Sequence, residues 1–64
     1  MKITWRKKGS DEWELWAGGQ YAGAVARKWH ARQPRYEAYD AHGDYFASFG
    51  TLAEAKQQIK ARRV

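Results

Sequence analysis

Trp13-Glu14-Leu15-Trp16, a Gly-containing gap and Gly19-Gln20-Tyr21-Ala22-Gly23-Ala24-Val25 recur downstream as Tyr36-Glu37-Ala38-Tyr39, a second Gly-containing gap and Gly43-Asp44-Tyr45-Phe46-Ala47-Ser48-Phe49. Each copy is an aromatic-Glu-apolar-aromatic run followed by Gly-x-Tyr-x-small-small-apolar. Two apolar runs broken by turn residues are how a β-hairpin is written. The repeat predicts strands over 12–17 and 20–28 around Gly18-Gly19, and over 35–40 and 44–49 around Ala41-His42-Gly43.

Outward from the repeat, Lys2 to Arg6 alternates with Ile3 and Trp5 on one side, a short strand pattern. Lys8-Gly9-Ser10-Asp11 has turn chemistry. Trp29 to Pro34 reads as a longer basic loop and holds the only Pro. Gly50-Thr51-Leu52-Ala53-Glu54 is a capping box, so a helix starts at Thr51. Leu52, Ala55 and Ile59 form its apolar stripe, and Lys60, Arg62 and Arg63 suit the negative end of its dipole.

The expected fold is α+β: an antiparallel meander of four to five strands built from two repeated hairpins, with one C-terminal helix packed on one face. Residues 1–64 form a single small domain. Strict alternation puts Ile3, Trp5, Trp13, Leu15, Val25, Tyr36, Ala38, Ala47 and Phe49 under the helix. Trp16, Tyr39 and Phe46, with Ala22, Ala24, Ala26, Glu14 and Glu37, fall on the opposite, open face.

At 64 residues burial only narrowly beats chain entropy, and four Trp, four Tyr and two Phe supply the bulk that scarce Leu, Ile and Val do not. No Cys is present, which fits a reducing compartment. No apolar run approaches the roughly 20 residues that span a bilayer, and the N-terminus has no signal-peptide stretch. The expectation is a soluble, cytoplasmic protein starting at its own Met, with no membrane association.

The formal charge is +5, and the twelve Lys and Arg residues fall into three groups of four. These are Lys2, Arg6, Lys7 and Lys8; Arg27, Lys28, Arg32 and Arg35; and Lys56, Lys60, Arg62 and Arg63. In an up-and-down meander Arg6, Lys7, Lys8, Arg27, Lys28, His30, Arg32 and Arg35 gather with the helix start at one end of the sheet, a setting for phosphate. The plainer reading is a solvated rim. Trp29 inside the basic loop either stacks on an unpaired base or, the preferred reading of the ring, folds back as a lid on the core edge.

From Tyr36 to Ile59 the pattern Tyr-x-Ala-x-x-x-x-Gly-x-x-x-x-Ser-Phe-x-Thr-x-x-Glu-Ala resembles the arm-type DNA-binding domain of tyrosine-family phage integrases. That resemblance implies a three-stranded sheet followed by a helix, with the sheet inserted into the DNA major groove. The chain also resembles small phage and proteobacterial proteins ending in Gly-x-Phe-x-Thr-Leu-x-Glu-Ala-Lys, here Ala47 to Lys56 with Ala at the Gly position. An extra hairpin precedes the match, and Glu37 stands where the integrase-like face carries cations.

Two functional expectations follow. The first is a non-enzymatic nucleic-acid-binding module using Lys7, Lys8, Lys28, Trp29, Arg32 and Arg35 at the basic loop end. The second is a protein-interaction or homodimerisation module using Trp16, Tyr39, Phe46 and Ala24 on the open face, which otherwise reads as an ordinary half-buried sheet surface. His30 and His42 fall at opposite ends with no partner for acid-base or metal chemistry. No cofactor motif and no small-molecule substrate site is evident, and the chain is expected not to be an enzyme.

Overall fold

The computed structural model describes residues 2–62, which leaves Arg63 of the third basic group outside the described residues. Five strands, β1 (Ile3–Gly9), β2 (Glu12–Ala17), β3 (Gln20–His30), β4 (Gln33–Tyr39) and β5 (Tyr45–Phe49), form one antiparallel sheet in chain order, and α1 (Leu52–Arg62) follows. This is the α+β meander expected, with all five strands present.

Gly18 and Gly19 both take positive φ, 59° and 82°, as a two-residue turn matched to the twist of the β2–β3 hairpin requires. At the helix start, the Thr51 Oγ accepts from the Glu54 amide at 3.2 Å. The amide left free by the first turn is thereby satisfied. The backbone of α1 lies over β3, β4 and β5 only. Ala55 and Ile59 are buried on the core formed by Leu15, Ala17, Ala22, Val25 and Ala38, with Leu52 packed at its margin. Ile59 alone, 1% exposed, contributes about 1.5–3 kcal/mol by leaving water.

Two irregularities in the ladder revise the expected faces. Leu15 pairs with Gly23 while Trp16 pairs with Tyr21, leaving Ala22 as an extra residue in β3. Likewise Ala38 pairs with Ala47 and Tyr39 with Tyr45, leaving Phe46 extra in β5. One inserted residue reverses the side on which every later side chain emerges. Ala22 and Phe46, expected on the open face, therefore join the helix-side core, and Tyr21 and Tyr45 take their places opposite.

The expected loop from Trp29 to Pro34 is also revised. β3 continues to His30, and Ala31-Arg32 forms a tight turn with Ala31 at φ 58°. Pro34 pairs with Trp29, one pair beyond the turn-flanking pair His30 and Gln33. In such a hairpin the turn-flanking pair is hydrogen-bonded and the next is not. The missing N–H of Pro34 thus points away from β3, where β5 has already ended at Phe49 opposite Tyr36.

Candidate nucleic-acid interface

β1, β3 and β5 run in the same direction, so the β1–β2 turn, the β3–β4 turn and the start of α1 share one end of the molecule. β2 pairs with β3 as far as Ala26, and the Arg27 amide donates to the Asp11 carbonyl. Beyond that point Lys28 to Arg35 is a two-stranded ribbon flanked by neither β2 nor β5.

Lys28 and Arg35 are cross-strand partners on the open side of this ribbon, followed by His30 and Gln33, and all four are exposed. Arg32 is exposed in the turn. The Arg35 guanidinium donates to Ser48 Oγ at 3.2 Å, and neither Lys28 nor Arg35 forms an ion pair among the described residues. Like charges directly opposite in a ladder destabilise it. A pair kept there without a carboxylate is a local rule broken, of the kind that clusters at functional positions.

On the other side of the ribbon stands Trp29, 59% exposed. The expected lid does not form, because the ribbon carries this ring past the end of β5 and away from the core cluster. Arg27 lies 5.8 Å from its ring centre. That guanidinium is held by the Asp11 carboxylate, with Nε at 2.8 Å and Nη2 at 2.7 Å, and by the Ser10 carbonyl at 3.0 Å. The hydrogen bond to Asp11 pushes the Arg27 pKa further up, so its charge is permanent.

Lys7 is exposed, with Nζ 6.0 Å from the Trp13 ring centre. Lys8 sits 3.5 Å from Glu14, an ion pair with its amine largely in solvent and so worth little. The six residues expected at the basic end are all there, divided between the ribbon's two sides, its turn and the end of β1. The sequence reading gave Arg27 no separate role, although an Arg two residues before a Trp in a strand places both on one face.

The open face of the sheet carries Trp16, Ala24 and Tyr39 as expected, together with Tyr21 and the 55% exposed Tyr45. Its rings meet edge to face: Trp16 with Tyr21 at 6.1 Å, and Tyr39 with Tyr45 at 6.0 Å. Trp16 Nε1 donates to Glu14 at 3.3 Å and the Tyr39 hydroxyl donates to Glu37 at 3.0 Å. Burial first, and then these carboxylates, push the Tyr21 and Tyr39 phenols upward, so both remain neutral donors. Arg6 lies 5.1 Å from the Trp16 ring centre. A Gly inside an apolar strand, here Gly23, is the signal for the bulge that brings Tyr21 onto this face.

At the far end a cleft of about 220 Å³ is lined by Ala22, Asp40, Ala41, His42, Phe46, Ile59 and Arg62. Its carboxylate is committed to structure. Asp40 Oδ1 accepts from the His42 amide at 2.9 Å and the Asp44 amide at 3.0 Å, which builds the β4–β5 turn. Among the described residues no three His, Cys, Asp or Glu side chains converge to hold a metal, and no helix is long and apolar enough to cross a membrane.

The Asp44 amide is the main cause that holds the Asp40 carboxyl below its ordinary value of 3.8. A depressed folded pKa means that ionisation favours the fold. That contribution is present above the unfolded pKa and is lost as pH falls through the folded one. Asp40→Asn keeps an acceptor at the turn but removes the titration. Its urea midpoint should therefore fall less than that of the wild type between about pH 6 and pH 3; parallel losses would show that the Asp40 charge contributes nothing.

No family model, curated protein or solved structure matches the chain.

Proposed function

We propose that this protein is a small non-enzymatic module that binds nucleic acid through its ribbon end. One observation carries the reading. The β3–β4 ribbon projects from the sheet with Lys28 directly opposite Arg35, Arg32 in the turn, and no ion-pair partner for any of them among the described residues. Such a cluster loses folding stability through repulsion and recovers free energy only when anions approach it. A two-stranded ribbon also has the dimensions of an element that enters a nucleic-acid groove.

Lys7, Lys28, Arg32 and Arg35 would neutralise phosphates, with Lys8 an additional contact. Trp29 offers a stacking surface. The resemblance of residues 36–59 to arm-type domains supports the same class of partner, and the absence of Cys supports a cytoplasmic setting. The second reading, a protein partner or second copy on Trp16, Ala24 and Tyr39, is favoured by the exposure of Tyr45. It has thinner support, because Phe46 has left that face and Glu14 and Glu37 already accept hydrogen bonds within it.

Polarisation with labelled mixed-sequence DNA and RNA tests the main reading. Four phosphate contacts give a slope of log affinity against log salt of about −3. No binding at low salt, or binding indifferent to salt, removes the proposal.

A further inference from the structure

We infer that the nucleic acid bound at the ribbon is single-stranded and lies along the uncovered half of the helix-side face, with an unpaired base stacked on Trp29. The inference rests on the nucleic-acid reading above and adds to it the state of the strand and the face it occupies.

Register puts three indoles on one face. Trp29 alternates with Arg27 and Val25 in β3, Val25 pairs with Trp13 in β2, and Trp5 pairs with Leu15 in β1. The backbone of α1 approaches β3, β4 and β5 but not β1 or β2, which carry Trp5 and Trp13, and Trp29 stands on the stretch of β3 that runs on past the end of β5. Trp5 and Trp13 are only partly buried, and Trp29 is mostly in solvent.

Every one of these rings has a cation beside it. Arg27 lies between Trp29 and Trp13, 5.8 and 5.6 Å from their centres. Lys7 is also within 6.0 Å of Trp13, and Lys56 reaches across from α1 to 5.0 Å from Trp5. Among the described residues the one carboxylate paired with these cations is Asp11, which fixes Arg27. Rings alternating with cations along a groove are what a single strand requires, since bases stack on the rings while the backbone follows the charges.

A duplex suits this face poorly. Its bases are stacked on one another and offer only their edges in the grooves, so an indole has no π-face to meet unless it unstacks a step. Arg27, anchored by Asp11 and Ser10, also props the Trp29 ring before any ligand arrives, which lowers the ordering cost of a stacked base. Lys28, Arg32 and Arg35 would hold the strand's phosphates where it crosses the edge of the ribbon, whereas a duplex would set its base edges against His30 and Gln33 on the opposite side.

Polarisation with one labelled sequence, presented as a single strand and as a duplex, separates the two modes. The proteins compared are wild type, Trp29→Ala, Trp29→Phe and the pair Gln33→Ala plus Arg35→Ala. The single strand should bind tighter at equal salt. Trp29→Ala should weaken it by roughly 5- to 150-fold, the range of a lost base stack, while Trp29→Phe keeps most of the affinity. Duplex affinity should be indifferent to Trp29. As Trp29 is exposed, circular dichroism and melting of Trp29→Ala should match wild type. Tighter duplex binding, or single-strand affinity unmoved by Trp29→Ala, overturns this inference and leaves nucleic-acid binding standing. Absence of salt-sensitive binding to both forms removes the parent reading instead.

Discussion

Gly23→Ala should be among the most damaging single substitutions in the molecule. Gly23 lies in the β3 bulge at φ 152°, where L side chains are strained, and a Cβ there would come within 2.7 Å of Ile59 Cγ2 and 2.9 Å of the Tyr39 carbonyl oxygen. The strain costs about 1–3 kcal/mol, and overpacking beneath a fully buried Ile costs about 1–3 kcal/mol more. A total of about 2–6 kcal/mol is a large fraction of the about 5–15 kcal/mol that holds a domain together. The melting temperature should drop by at least about 10 °C. Gly19→Ala separates the two causes, because Gly19 has φ 82° with nothing near its Cβ position and should lose only the strain term. Ile59→Ala combined with Gly23→Ala should show coupling of about 1 kcal/mol or more, since removing Cγ2 relieves part of the clash. A Gly23→Ala melting curve close to wild type would mean that α1 does not sit on Gly23 as described.

The same glycine shows where sequence reading reaches its limit. The duplicated aromatic-Glu-apolar-aromatic run, the Ile3 and Trp5 alternation and the Thr51 cap are local signals, and they suffice for four to five strands, their order and the helix. Register is not local. Ala22 and Phe46 became core residues because each strand carries one residue more than its partner, and alternation alone has no term for an insertion. Gly23 was the available clue, a residue without a side chain in the middle of an apolar strand. At the ribbon the misleading signals were Pro34 and the density of cations, both ordinary loop markers. Pro34 is tolerated because β5 stops short of it, a fact about strand lengths that no single segment contains. The exposure of Trp29 depends on the same extension. That the backbone of α1 reaches β3 but not β1 or β2, where Trp5 and Trp13 sit, is likewise a matter of tertiary placement that no single segment contains.

Replacing both Lys28 and Arg32 by Glu should nearly abolish retention of nucleic acid. The double reversal lowers the formal charge of +5 by four and removes two contacts from a ribbon that has no acidic residue between Lys28 and Arg35. Each counterion released into 0.1 M salt is worth roughly 5- to 8-fold in affinity. Two lost contacts therefore weaken binding by roughly 25- to 60-fold, and repulsion from the new carboxylates carries the loss to the order of 100-fold or beyond. The salt slope of any residual binding should flatten by about 1.5. Stability should not suffer, since the Lys28–Arg35 repulsion becomes an attraction across the ladder. Trp16→Ala plus Tyr39→Ala is the informative control: it removes the two open-face rings whose hydrogen bonds engage Glu14 and Glu37 and leaves the ribbon intact. If that pair disrupts self-association or a protein partner while the charge reversals leave nucleic-acid retention untouched, the ribbon is a solubilising rim and the open face is the working surface. The expected result is the reverse. Affinity should collapse with the charges and persist without the rings, because the ribbon holds Lys28 and Arg35 opposite one another and, among the described residues, no carboxylate pairs with either.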